Sequence, residues 1–433
     1  MKLTNKISVL FGLALIVYGM VFINPVRASA AKKVSLSKKL TVRVGQSKKL
    51  NLKNNKKKVT WKVVSGKKNI TLKSKKKTEV TVAGRKKGTA KVQAKIGKKK
   101  YICKVAVKSN IVNGVLQLYY NGKNLDEVME QVWQNSKVSV HVIVDKGVTK
   151  IGKQAFRFPK NVKSVTIPNS VTKIGEGAFW GSEGLTSITI PASVTHIGDY
   201  AFAECGGLTS ITVAKKNRTY HSRGNCNAII KTSTNTLIAG CKNTKIPDSV
   251  TSIAIGAFEG CYGLTKITIP SGVTSIGNSA FRYCDRLTSI TIPAKVTRIE
   301  AWAFSGCGLT SITIPASVTS IEKTAFIGNF SKIIVEKGNR KYDSRNNCNA
   351  IIETSTNTLI TGCKNTTIPA SVTSIGDWAF WGCNMIDITI PASVKSIGKE
   401  AFTYCNRLTS IKWNGNTYAS VDKFLAAFNS NKK

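Results

Sequence analysis

The residues best suited to chemistry in this chain are its cysteines, and their spacing assigns most of them to packing. Cys205, Cys261, Cys284, Cys307, Cys383 and Cys405 each stand three residues after a phenylalanine. A thiolate metal site needs further ligands at short, fixed spacing. No histidine or acid cluster accompanies these cysteines, so they are read as small buried fillers, and no metal or other cofactor is expected. Cys226 and Cys241, and likewise Cys348 and Cys363, lie in near-copies, 225–250 and 347–372, offset by 122 residues. Each copy is expected to form a hairpin. Two-residue turns at Ser233-Thr234 and Ser355-Thr356 would place Cys226 opposite Cys241 and Cys348 opposite Cys363. In an exported protein that pairing points to disulfides, whereas in an anaerobic setting such pairs stay reduced. Catalysis finds little support. The three histidines, His141, His196 and His221, have no recurring acid or cysteine partner, and no phosphate loop, H-E-x-x-H or nucleophile elbow is present. The chain reads as a non-enzyme.

The phenylalanines belong to a repeat. Ala-Phe recurs at Phe156, Phe179, Phe202, Phe258, Phe281, Phe304, Phe326, Phe380 and Phe402, mostly in steps of 22 or 23 residues. A fixed period of that size means a solenoid, here mainly β and running over 148–411. Leu-x-x-Ile-x-Ile-Pro opens each copy with a short strand, as at Leu185, Ile188, Ile190 and Pro191, and proline ends the strand by removing a donor. Ser-Val-Thr-x-Ile-Gly then places Val194 and Ile197 inward. Two longer gaps, near 214–246 and 336–368, hold the duplicated hairpins as insertions.

The outward residues of the opening strand form hydroxyl columns: Thr186, Ser187, Thr189, Thr209, Ser210, Thr288, Ser289, Thr291, Thr310 and Ser311. They are a candidate binding face, or simply a solvated one. Lys266 and Asp387 depart from the column and join the candidate face. Tyr200, Trp302 and Trp378 stand two residues before their phenylalanine, and Trp180 and Trp381 just after theirs. These aromatics either contact glycan or protein partners or lean on neighbouring repeats. A single copy offers too few outward side chains to hold a partner, so any binding belongs to the stack.

An open solenoid exposes its core at both ends and needs caps. The N-terminal candidate spans 109–147, with a hairpin signal at Asn121-Gly122 and a helix led by Asn124 and Glu127 and carrying Leu125, Val128, Met129, Val132 and Trp133. The C-terminal candidate spans 412–433, with Ser420 as cap residue and Val421, Phe424, Leu425 and Phe428 as an apolar stripe. Trp133 and Phe428 are expected in the cap cores.

The net charge of +45 is concentrated upstream of the repeats. Residues 32–108 hold 28 Lys and Arg against one acid, Glu79. This stretch alternates apolar and polar residues between Gly and Lys turns, with Tyr101, Cys103, Val105 and Val107 on one face, and is expected to be a small β-sandwich. Its lysines are either a solvated surface or an attachment to a polyanion such as anionic cell-wall polymer. Interleaved aromatics for nucleic-acid stacking are missing, so no specific nucleic acid is expected. Residues 1–30 read as a signal peptide, with Lys2 and Lys6, the apolar run 7–23 and Ala28-Ser29-Ala30, the rival being an uncleaved anchor. After cleavage no membrane span is expected, and the protein would be secreted or held non-covalently at the cell surface.

The unit I-P-x-S-V-T-x-I-G-x-x-A-F-x-x-C strongly resembles the BspA-type leucine-rich repeat (leucine-rich repeat family 5) of bacterial and protozoan surface proteins. That resemblance implies an exported, adhesin-like protein that binds host or microbial surface proteins or glycans, without fixing the partner. The alternative is a structural cell-envelope scaffold with no specific ligand. The basic module 31–108 resembles a bacterial Ig-like domain of group 2, through VSLSKKLTVRVGQSKKL, VTWKVVSG with Trp61, Gly84 and Gly88-Thr89-Ala90. Such domains imply a spacer role on exported proteins.

Overall fold

The structure is a computed structural model that describes residues 32–112, 115–121, 123 and 125–431. The leader, Gly122 and Asn124 lie outside the described residues, as does the Glu127 side chain.

Alternating hydropathy in the basic stretch folds into two four-stranded sheets. One has the order Ser35–Leu36, Ser47–Lys53, Glu79–Gly84, Ile70–Lys73, and the other Lys39–Arg43, Lys99–Lys108, Gly88–Ile96, Thr60–Ser65. Leu50, Leu52, Val80, Val82, Val92, Cys103 and Val105 fill one core around Trp61, whose indole N–H donates to the Lys76 carbonyl at 2.8 Å. Glu79 is paired with Lys49 and Lys76. At the junction Arg43 Nη1 donates to the Ser109 carbonyl at 2.8 Å.

The N-terminal cap is a β-strand, Val115–Tyr120, followed by helix α1, Leu125–Gln134, and a parallel strand, Val140–Val144. Helix α1 buries Val128, Met129 and Val132 against the first repeats. Trp133 corrects the sequence reading. It sits at the margin of that stripe and is 63% exposed. At the other end Ser420 Oγ accepts the Lys423 N–H at 3.3 Å, and helix α2, Val421–Ser430, buries Phe424 and Phe428 against Trp413.

Each turn of the solenoid is held to the next by three columns. The first follows proline: in eight turns, from Val171 to Val394, the valine N–H donates to the proline carbonyl three residues earlier at 3.0–3.3 Å, which closes the corner. The next residue then bonds to the preceding turn. Thr172, Thr195, Thr274, Thr297 and Thr319 each donate their N–H to the threonine one turn earlier at 2.8–2.9 Å. The second column is Ala-Phe. Phe N–H groups donate to the alanine carbonyl of the next turn at 2.7–2.9 Å, and rings stack at 5.1–5.6 Å with interplanar angles of 4–18°. The third is the opening strand, whose inward Ile and Leu fill the interior. About 13 such turns make the stack.

The insertions are not protrusions. Ile229–Lys231 and Thr236–Ala239 pair as a hairpin, and the second strand then pairs in parallel with Ser252–Ile253 as an added turn. Ile351–Glu353 and Thr358–Thr361 repeat this against Ser374–Ile375. The Asn217 amide completes the corner: its Nδ2 donates to Pro191 and Val194 carbonyls and its Oδ1 accepts from Thr219 and Tyr220 N–H groups. Asn339 does the same in the second copy.

The added turn is only partial. On one side Gly240 lies beneath Phe258, where a Cβ would come within 2.1 Å of the ring, and Gly362 lies beneath Phe380, where it would come within 2.0 Å. On the far side the chain skips the hairpin: Glu204 N–H donates directly to the Glu259 carbonyl at 2.6 Å, and Lys323 reaches Asp377 at 2.6 Å. A layer present on one side and absent on the other is a wedge. The opening-strand sheet breaks at both wedges, between Ser210–Val213 and Ser311–Ile314 and between Lys332–Val335 and Asp387–Ile390. Segments 266–269 and 289–292, expected as strands, keep the inward and outward alternation but have no ladder partner among the described residues.

Gly240→Ala is therefore expected to lower stability by about 1–3 kcal/mol through overpacking on Phe258. Gly152→Ala, where a Cβ meets nothing within 4 Å, should stay within roughly 0.5 kcal/mol of the parent. Urea denaturation midpoints of the two variants check this, and equal midpoints would contradict it.

Candidate functional site

The candidate hydroxyl face is exposed at Thr186, Ser187, Thr189, Thr288, Ser289, Thr291, Thr310 and Ser311, and half-buried at Thr209 and Ser210. Lys266 and Asp387 are exposed as well. Two of these hydroxyls serve the scaffold: Thr186 and Thr209 Oγ1 donate to the carbonyls of Lys163 and Thr186, each at 3.1 Å. The structure brings Ser187 opposite Ser210 and Asp387 opposite Ser410 in parallel register, but among the described residues Thr288, Ser289 and Thr291 have no strand partner.

The aromatics form an edge along the Ala-Phe corner. Trp180 stacks on Tyr200 at 6.1 Å, Trp302 meets Trp381 edge-on at 6.0 Å, and the Trp378 indole N–H donates to Glu400 at 3.0 Å. All five sequence-predicted aromatics are half-buried against neighbouring turns. The more exposed members were missed: Phe158, Tyr283 and Tyr404, exposed by 46%, 37% and 63%. Their common signal is position, two residues after the core phenylalanine. Arg157 lies 4.5 Å from the Phe158 ring and 4.8 Å from Trp180, and Arg282 lies 4.4 Å from Tyr283 and 4.9 Å from Trp302. Cation–π contacts of this kind contribute about 0.5–1 kcal/mol at exposed sites.

Backbone conformation sets this edge apart. The corner needs a left-handed residue two before and two after the phenylalanine. Gly256 and Gly260 supply it at φ 62° and 65°, but Tyr200, Tyr283, Trp302, Trp378 and Tyr404 adopt φ of 55–59° at equivalent places. An L-residue there bears strain of about 1–2 kcal/mol.

Beneath the edge, where the first hairpin is skipped, lies Glu259. Its side chain is 2% exposed and meets Arg282 Nη1 at 3.5 Å. Among the described residues its Oε2 and Arg282 Nε have no hydrogen-bond partner. Burial raises its carboxyl to about 7, opposed by Arg282 and reinforced by Glu204. Burial, with Glu204, Glu183, Asp285 and Glu259 nearby, pushes the Tyr262 phenol up to about 12.

The cysteines correct the hairpin reading. The turn is four residues, 232–235, and a bulge between Ile229 and Ile230 shifts the register, so Ile229 faces Ala239. The same shift occurs between Ile351 and Ile352. Cys226 is therefore not opposite Cys241, nor Cys348 opposite Cys363, and all are free thiols. Cys226 approaches the Ala228 carbonyl and Cys241 that of Asn227. The repeat cysteines serve as weak donors: Cys205, Cys307 and Cys405 Sγ reach the Phe carbonyl of the preceding turn, each at 3.0 Å. Burial keeps them protonated for that bond, raising Cys307 to about 12 and Cys405 to about 11. His141 sits between the Ser164 and Thr166 hydroxyls.

Comparison with known proteins settles the family. Residues 126–236, 228–333 and 345–431 match the BspA type leucine rich repeat region, in six copies. The chain belongs to the BspA-type leucine-rich repeat family. This BspA-type chain is 30% identical to a leucine rich cell surface protein from Faecalibacterium prausnitzii over 66% of its own length, with a TM-score of 0.40. The match spans 62% of that protein. It is 21% identical to a leucine-rich repeat protein from Eubacterium ventriosum, covering 76% of this chain and 97% of that one, TM-score 0.41. It is 16% identical to the pneumococcal vaccine antigen PcpA, covering 86% and 72%, TM-score 0.26. No curated protein matches.

The Glu259 environment gives a pH test. A carboxyl raised from 4.5 to about 7 on folding binds more protons in the native state across that window, so its contribution to stability falls as pH rises through it. Glu259→Gln should match the parent below pH 4.5 and exceed it by up to about 3 kcal/mol above pH 7. Urea midpoints at both pH values read this, and an advantage independent of pH would contradict it.

Proposed function

We propose that this chain is an exported recognition protein of the bacterial cell surface. The BspA-type family is typically cell-surface or secreted and supports a protein-interaction role. No helix among the described residues is long and apolar enough to cross a membrane. The observation that carries the reading is the division of labour within each turn. Inward Leu, Ile, Val, Phe and Cys are spent on columns, while the outward strand positions repeat along the stack. Recognition is then a distributed property, with the open strand face and the exposed Phe158, Tyr283 and Tyr404 offering contact to protein or glycan partners.

The basic module is the attachment element of this reading. Its lysines are all exposed, and the single acid is already neutralised by Lys49 and Lys76. Such a surface draws anionic cell-wall polymer by salt-sensitive attraction. The scaffold alternative has one observation in its favour: the five predicted aromatics and several threonine hydroxyls are engaged within the stack.

The full chain and a variant with Lys56, Lys57, Lys58, Lys75, Lys76 and Lys77 replaced by Glu separate these roles. Retention on purified bacterial cell walls should fall at least tenfold in the variant and with added salt. Binding to an array of surface proteins and glycans should be unchanged. Equal retention would remove the attachment role, and an array without hits would favour the scaffold.

A further inference from the structure

The break in the opening-strand sheet leaves an unused strand template. Segment 266–269 has strand alternation, with Ile267 and Ile269 buried and Lys266 and Thr268 exposed. Elsewhere the ladder is kept, as where Thr209 N–H donates to Thr186 and Thr409 N–H to Ile386. Among the described residues no backbone hydrogen bond joins 266–269 to a neighbouring turn, although Thr274, Gly277 and Phe281 further round keep theirs. The two other columns stay closed here, with Thr274 bonded to Thr251 and Phe258 to Ala280, so only the strand face is open.

The opening is roomy and charged. A cavity of about 640 Å³ separates 242–246 from 266–268, lined by Lys242, Lys245 and Lys266 above Ile246 and Ile267, with no carboxylate. Unpaired N–H and C=O groups along an extended, half-apolar chain are what an added strand pairs with. No aromatic ring lines the cavity to stack a sugar.

We propose that an extended acidic segment of a partner protein docks here by strand addition along 266–269. Its backbone takes the free groups, its small apolar residues face Ile246 and Ile267, and carboxylates at alternate positions face Lys242, Lys245 and Lys266. The inference rests on the recognition reading and gives the partner's chemistry.

The probe is a labelled, end-blocked Thr-Glu-Val-Glu-Val-Glu-Thr peptide, titrated into the full chain at physiological ionic strength by fluorescence anisotropy. The parent peptide should bind. A version N-methylated at alternate backbone nitrogens, equal in charge, should bind at least tenfold more weakly. A Lys245→Glu, Lys266→Glu double variant with unchanged circular dichroism should show the same loss. Equal binding of the N-methylated peptide would overturn strand addition in favour of bare charge, as would full displacement by an anionic polysaccharide at matched charge. No peptide binding, with hits retained on the protein and glycan array, would overturn this inference and leave the recognition reading standing. Loss of both would remove both.

Discussion

Everything in the stack depends on one hydrogen bond repeated turn by turn, from the N–H that follows each Pro-x-x-Val corner to the turn before: threonine to threonine in five corners, Thr251 to Asn235 and Thr373 to Asn357 at the hairpins, and Lys395 to Thr373 at the last. The corner fixes where that N–H points, because proline cannot donate and its carbonyl is taken by valine. The threonine hydroxyl then adds a second bond to the same carbonyl, as from Thr172, Thr195, Thr274 and Thr297. With turns held at that spacing, phenylalanine rings stack and cysteine thiols reach the carbonyl one turn back. The interior is therefore a set of columns in which each residue type has one task.

The same constraint explains why function is displaced to the margins. A hairpin that supplies the threonine-side layer but no Ala-Phe corner must tilt the turns around it. The tilt closes the aromatic edge, bringing Glu204 to Glu259 and Lys323 to Asp377, and opens the opposite strand face. Closing one side buries Glu259 with an oxygen unpartnered, and opening the other leaves 266–269 without partners. Both departures follow from one wedge, and neither belongs to the regular repeat.

Much of this was legible in the sequence. The 22–23 residue period, the inward Leu, Ile, Val, Phe and Cys, the helical caps and the mainly β solenoid all follow from local patterning that each copy repeats. The hairpins were visible, but their register was not, because a bulge after Ile229 leaves the hydropathy pattern of the two strands unchanged. Gly240 and Gly362 stood at matching places in both hairpins. Their task, leaving room for a phenylalanine ring, shows only once the stack is built. Trp133 misled because helical spacing marks a face and not where the facing sheet ends. The aromatic edge was half read: the tryptophans stood out by type, whereas Phe158, Tyr283 and Tyr404 stand out only by their shared place in the corner.

The threonine and phenylalanine columns register the turns while the strand face opens beside the first wedge. Native-state amide hydrogen exchange tests it most directly, since protection follows backbone hydrogen bonding. Slow exchange is expected at Thr274, Gly277 and Phe281 and throughout 187–190, and fast exchange across 266–269 and 289–292 despite the buried side chains of Ile267, Ile269 and Ile292. Protection of 266–269 and 289–292 equal to that of 187–190 would contradict it.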